Sequence, residues 1–170
     1  MDIRRVPTAD ELTNGAADRI IRIGSEAIRQ RDRFLIALSG GETPIPVYDR
    51  LAARSSKLDW SKADVFWVDE RCVPPSDTRS NYGRARTTLL DRLPIQPEGI
   101  HRIQGELDPL DAADAYEILL QRMLGDDGRL DVVILGIGED GHTASLFPRH
   151  QALTEVDRWV LPVHAPVNPP

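Results

Sequence analysis

Three short apolar runs constrain this chain more than any other feature: FLIAL (34–38), ADVFWV (63–68) and LDVVIL (130–135). Each is bounded by turn residues and lacks a clean apolar–polar alternation, which predicts strands buried on both faces. Helical periodicity fills the stretches between them. Leu12, Ala16, Ile20, Ile23 and Ala27 form a stripe, widened by Ala17, Ile21, Gly24 and Ile28, that predicts an amphipathic helix ending near Arg31. A second helix is expected over IPVYDRLAARS, with Pro44 as its first residue and Thr43 as its cap. Pro46 is tolerated there because first-turn N–H groups have no helical partner.

A third helix is expected from Tyr82 to Leu93, ended by Pro94 and Pro97. Leu110, Ala113, Tyr116, Leu120 and Met123 mark a fourth, closed by the GDDG turn at 125–128. GIHRI (99–103) and RWVLPV (158–163) are further short strand candidates. Alternation of this kind predicts an α/β fold: a doubly wound, mostly parallel sheet with helices on both faces. Its 170 residues suit one α/β domain spanning 1–170.

Charge and cysteine content narrow the function classes. With 21 basic against 27 acidic residues the net charge is −6, without the basic stripe of a nucleic-acid surface. An anionic small molecule is still compatible, since a phosphate site needs oriented N–H groups and a few local cations. Cys72 is the only cysteine, so no internal disulfide can form and a reducing compartment is expected. MDIRRVPTADEL lacks a signal-peptide core, and no apolar run approaches the ~18 residues needed to cross a bilayer. The expected location is the cytoplasm.

Ligands of open parallel sheets bind beyond the carboxyl ends of the strands. Each of the three apolar runs opens there into a loop with chemistry. In the first, SGGETP (39–44), Gly40 and Gly41 let backbone N–H groups approach an anion, while Ser39 and Thr43 add hydroxyls. A tight capped turn reads equally well. The loop is no Walker motif, because the Gly-Lys-Ser/Thr ending is absent.

In the second loop, VDERCVPPSDTRSNYG (68–83), Arg71 can hold a phosphate and Asp69 can orient a hydroxyl or a catalytic partner. Alternatively Asp69 and Arg71 form a structural ion pair, with Glu70 in solvent. Asn81 either touches ligand or caps the next helix, the cap being Ser80 or Asn81.

The third loop, GIGEDGHTASLFP (136–148), has the strongest signal. Gly136, Gly138 and Gly141 permit close backbone turns around His142. Histidine has a reference pKa of about 6.5, which suits a general base for water activation. Asp140 or Glu139 can set its tautomer. The bland alternative is a hydrogen-bonded loop histidine.

Other chemistries fit poorly. His101, His142, His150 and His164 lack metal-ligand spacing, and Ser145 lies outside a G-x-S-x-G elbow. GIGEDG matches a dinucleotide fingerprint in letters, but no clear amphipathic helix follows it.

The segments LSGGETP (38–44), VFWVDERCVPPSDTRSNYG (65–83) and LGIGEDGHTASLFP (135–148), in this order and spacing, resemble the 6-phosphogluconolactonase family. The resemblance runs from the first helix to nearly the last residue. It implies a modified Rossmann-like fold and hydrolysis of 6-phosphogluconolactone to 6-phosphogluconate in the pentose phosphate pathway. His142 would then take the proton from attacking water, with Asp140 and Asp69 in support. Ser39, Gly40, Gly41, Thr43, Arg71 and Asn81 would hold the phosphorylated sugar, with Gly138 and Gly141 shaping the loop. No metal or organic cofactor is implied.

Glucosamine-6-phosphate deaminases share the superfamily, with a related Asp-Gly-His loop that continues differently from TASLFP. Family members also extend past the position of Pro170, where four prolines fall within nine residues. The expectation is a C-terminally shortened sheet with an exposed edge, open to self-association. A non-catalytic sugar-phosphate-binding remnant and an isomerase or deaminase on the same fold are the alternatives.

Overall fold

The computed structural model describes residues 3–125 and 128–165. Helix α1 (Ala9–Arg31) starts where the Thr8 hydroxyl accepts the Glu11 N–H at 3.1 Å, and Asp10 and Glu11 face the positive end of its dipole. Asp32, in the left-handed region with φ of 57°, ends it. The expected stripe is buried in part: Ala17, Ile20, Gly24 and Ala27 face the core and Thr13 joins them, whereas Leu12 is half exposed and Ala16 and Ile23 are only partly covered. A Cβ on Gly24 would lie 3.0–3.1 Å from Leu58 and Phe34, so that residue sets how closely α1 approaches the sheet.

The sheet consists of β1 (Phe34–Leu38), β2 (Ala63–Trp67) and β3 (Val132–Val133), all parallel, in the order β2-β1-β3. Register pairs Ile36 with Val65 and with Val132. One face carries Phe34, Ile36, Leu38, Val65 and Trp67 into the main core with α1, α2 (Ile45–Ala53) and α3 (Asn81–Thr88). The other carries Ala37 and Phe66 toward α4 (Pro109–Leu124) across a cleft of about 500 Å³, whose lining is mostly apolar. Helices thus flank both faces, as the alternation predicts.

Two buried tyrosines finish the carboxyl ends of the inner strands. The Tyr48 hydroxyl accepts the Ser39 N–H at 3.1 Å and donates to the Ser39 carbonyl at 2.7 Å. Tyr116 repeats the arrangement on Trp67, at 2.9 and 3.0 Å. Each phenol thereby pairs a main-chain donor and acceptor that would otherwise be buried unpaired. Burial pushes the Tyr48 phenol up to about 12 and raises that of Tyr116 as well, so both remain neutral donors. At the opposite end of the sheet, Asp64 joins Arg33 and His101, each at 2.6 Å, and Arg33 reaches the Met123 carbonyl of α4 at 3.2 Å.

Several expectations are corrected. The run LDVVIL gives a ladder of two residues, extended by single bonds from Asp131 to Leu35 and from Ile134 to Ala37. As an edge strand it is partly uncovered: Val133 is 45% and Leu135 54% exposed. GIHRI contributes one parallel bridge, Ile100 to Val65, rather than a strand. RWVLPV is irregular and lies along α4, where Arg158 pairs with Asp114 and Glu117 at 2.5 and 2.9 Å.

Helix α3 stops at Thr88 and a 3-10 turn, Leu90–Arg92, completes the span expected as helix. Thr43 caps nothing. Helix α2 begins at Ile45, whose N–H goes to the Glu42 carbonyl at 3.3 Å, and Pro46 has no N–H to offer. Part of the GDDG turn and three of the terminal prolines lie outside the described residues.

Candidate active site

The loops after β1, β2 and β3 leave the same edge of the sheet, because the strands are parallel. The first turns at Gly41, whose φ of 90° favours glycine. Ser39 is 6% exposed, and its hydroxyl has no hydrogen-bond partner among the described residues. A buried hydroxyl left unpaired at a strand end is costly unless a water or a ligand atom meets it. Gly40 lies against Asn81: a Cβ there would come within 1.9 Å of the Asn81 Oδ1.

The second loop is organised by Glu70, which is not in solvent. Its Oε1 accepts the N–H groups of Arg71 and Asn81, both at 2.7 Å. Oε2 accepts the Tyr82 N–H at 2.8 Å and the Ser80 hydroxyl at 3.1 Å. The carboxylate therefore closes the start of α3, where free N–H groups and the dipole favour an anion. Ser80 completes the cap by accepting the Gly83 N–H at 3.0 Å, and Asn81 turns its side chain inward.

Asp69 has two partners of its own. Oδ1 accepts from the Asn81 amide at 3.1 Å, and Oδ2 accepts from the Ser145 hydroxyl at 2.7 Å. Among the described residues Asp69 is bonded to Asn81 and Ser145 and forms no ion pair with Arg71, which lines the cleft. The cleft also touches Ser145 but neither His142 nor Ser39, so it is the gap between the sheet's second face and α4 rather than the centre of the polar site.

In the third loop, Asp140 is the partner of His142. Its Oδ1 accepts the His142 backbone N–H at 3.0 Å and lies 2.5 Å from Nδ1. A carboxylate facing Nδ1 places the ring proton there and leaves the Nε2 lone pair available. The backbone N–H of His142, then its ring, hold the Asp140 carboxyl below the usual carboxylate range.

Glycines allow this geometry. Gly141 has φ of 87° and donates to the Gly138 carbonyl at 3.0 Å. A Cβ on Gly138 would sit 2.2 Å from the His142 ring. On another side, the buried Phe147 packs against the imidazole with ring centroids 4.9 Å apart.

The structure thus brings Ser39, Gly40, Asn81, Asp69 and Ser145 into one run of contacts. His142 and Asp140 form a pair three residues from its end. Thr43 and Arg71 lie on the loops after β1 and β2, and among the described residues no hydrogen bond or ion pair joins either to that pair. Sequence reasoning missed Glu70, Ser145 and Phe147. Ser145 and Phe147 stand inside the motif TASLFP, but what they touch is not encoded by spacing.

Residues 7–170 match the family described as glucosamine-6-phosphate isomerases/6-phosphogluconolactonase. The chain belongs to that family. A 6-phosphogluconolactonase of Nostoc sp. is 43% identical over 169 residues, covering 96% of this chain and 70% of its own. One from Treponema pallidum is 37% identical over 145 residues, covering 82% of this chain and 58% of its own.

The solved 6-phosphogluconolactonase from Trypanosoma brucei superposes with a TM-score of 0.80 at 33% identity, covering 92% of this chain and 67% of its own. The chain spans from about half to 70% of the length of the curated relatives it matches. Among the described residues, no helix is long and apolar enough to cross a membrane.

Proposed function

We propose that this family member hydrolyses 6-phospho-D-glucono-1,5-lactone to 6-phosphogluconate, the lactonase step of the pentose phosphate pathway, in the cytoplasm. The observation that carries the reading is the His142–Asp140 pair: Nδ1 is held at 2.5 Å by a carboxylate and Nε2 is left as the base. The names of the relatives agree with it.

Water bound at Nε2 attacks the lactone carbonyl carbon and gives its proton to His142, and Asp140 stabilises the imidazolium. The tetrahedral oxyanion then collapses. The C1–O5 bond breaks, and the ring oxygen takes the proton back from Nε2 as it becomes a hydroxyl. Backbone N–H groups of the glycine-rich loops serve the oxyanion, with Gly138 and Gly141, whose own N–H groups are given to the His142 and Gly138 carbonyls, shaping the loop that presents them. At the other end of the substrate, the unpaired Ser39 hydroxyl, the Gly40 and Gly41 N–H groups, Thr43 and Arg71 receive the phosphate. Asn81 and Asp69 brace the two ends. The scheme calls for no metal or organic cofactor.

Lactone hydrolysis above the spontaneous rate, measured for the wild type beside His142→Ala, tests this. The variant is expected to lose about 10²–10⁴-fold in kcat/KM. Equal rates in the two proteins would remove His142 from the chemistry.

One observation favours a second reading. The β3 edge and the residues after it are uncovered, with Ile137 83% exposed. A sheet edge of this kind pairs readily with another chain, so self-association is proposed through it. A chain that binds 6-phosphogluconate without turnover would support the non-catalytic alternative.

A further inference from the structure

We infer that Ser145 is a positioning residue, its hydroxyl being the latch that fixes the His142 loop to the loop after β2. The inference rests on the lactonase reading and goes beyond it, since it assigns a role to a residue outside the acid–base pair.

The His142 loop needs such a latch because its own strand anchors it weakly. The β3 ladder is two residues long, and Leu135 and Ile137 beyond it are exposed. Most bonds within the loop are local. Gly138 donates to the His142 carbonyl at 2.8 Å, and the Thr143 hydroxyl donates to the Gly136 carbonyl at 2.8 Å. These set the shape of the loop without setting its place on the molecule.

Two side chains after His142 reach outward. Phe147 is buried, which supplies adhesion with little direction. Ser145 makes a directional bond of 2.7 Å to Asp69, 76 residues away in sequence. Ser145 is also tightly coupled to His142. The Leu146 N–H returns to the Thr143 carbonyl at 2.9 Å, with Ala144 between them in the left-handed region at φ of 49°. A shift at Ser145 therefore moves the segment that carries the imidazole.

On its far side the latch reaches the anion loop. Asp69 accepts from Asn81, and the Asn81 side chain is wedged against Gly40. The contacts Gly40–Asn81–Asp69–Ser145 thereby set the spacing between the group that holds the phosphate and the group that attacks the carbonyl. A substrate of fixed length needs that spacing, and a base displaced by about 1 Å loses on the order of 10²-fold in rate.

The test compares wild type, Ser145→Ala and Ser145→Thr in the full chain, by steady-state kinetics and by the proton NMR resonance of the His142 Cε1–H. Ser145→Ala is expected to lower kcat by roughly 10- to 100-fold, with KM changed by less than about threefold. Its His142 resonance is expected to broaden or split. Ser145→Thr, which keeps the hydroxyl, is expected to restore both readouts.

Unchanged kcat with a sharp resonance in Ser145→Ala would overturn the latch, as would an equal loss in both variants. Ser145→Cys, nearly isosteric and a poor donor, repeats the test if the alanine variant does not fold. Absence of turnover in the wild type would remove the lactonase reading, while the resonance would still decide whether Ser145 holds the loop.

Discussion

The loops after β2 and β3 both end a parallel strand, yet they are held in opposite ways. In the β2 loop one carboxylate, Glu70, accepts four hydrogen bonds from Arg71, Ser80, Asn81 and Tyr82. That loop is built into the start of a helix, and its integrity is part of the fold. The β3 loop sits on a two-residue edge strand and is held mostly by bonds within itself, reaching the rest of the molecule through Ser145 and the buried Phe147. The difference teaches where substitutions should register: changes around Glu70 as lost stability, changes around His142 as lost chemistry with the fold intact.

The largest expected effect lies in the β3 loop. His142→Ala should remove most of the activity and lower the thermal midpoint by no more than about 4 °C, since the half-buried ring gives up only its contact with Phe147 and its bond to Asp140. Asp140→Asn sharpens the point. An asparagine amide can donate to Nδ1, which moves the ring proton to Nε2 and blocks the base, and a loss on the order of 10⁴-fold is expected from the wrong tautomer. Kinetics with differential scanning calorimetry on the same samples checks both. A midpoint that falls together with the rate would break the comparison.

Gly138→Ala comes next. The added methyl would meet the imidazole at 2.2 Å, so the ring must swing off Asp140. About a 10²-fold loss of kcat is expected with a small change in stability. The counterpart in the β2 loop is Glu70→Ala, which leaves three main-chain N–H groups without their acceptor. Roughly 2 kcal/mol of destabilisation is expected, seen as a midpoint lowered by about 4–8 °C for a chain of this size. The thermal melt, read with and without 6-phosphogluconate, separates this loss from any effect on binding.

How much of this was legible in the sequence follows the range of the interactions. Buried strands at FLIAL and ADVFWV, the stripe of α1, and the convergence of three loops at one sheet edge all depend on local pattern and on the parallel rule. So does an acidic partner for His142: Glu139 and Asp140 are both open by proximity, and Asp140, separated from it by one residue, is the one that bonds the ring. LDVVIL misled because apolar content cannot tell a central strand from an edge strand; the extent of the ladder depends on neighbours. Glu70 has no role in the sequence reading, and one alternative leaves it in solvent, because three of its four donors lie ten to twelve residues on, brought back by the turns of the loop. The Ser145–Asp69 bond, spanning 76 residues, had no local signature at all.

The smallest effect concerns acid, and it tests the two loops on one axis. Asp77 in the β2 loop is held at about 2, chiefly by the Arg79 side chain and then by the Arg79 N–H. Asp140 in the β3 loop is lowered by the backbone N–H and then the ring of His142. Both folded values lie below the ordinary aspartate value of about 3.9. Each contribution to stability is therefore fully present above that value and is lost as pH falls through the folded one. For Asp77 the window runs from about pH 4 down to about 2. The midpoint difference between wild type and Asp77→Asn should accordingly be small at pH 5 and vanish by pH 2. Asp140→Asn should show the same convergence in stability, while its deficit in rate persists at neutral pH, where both proteins are fully folded. A variant of Asp77 that loses rate, or one of Asp140 that loses only stability, would mean that the division of labour between the two loops is drawn in the wrong place.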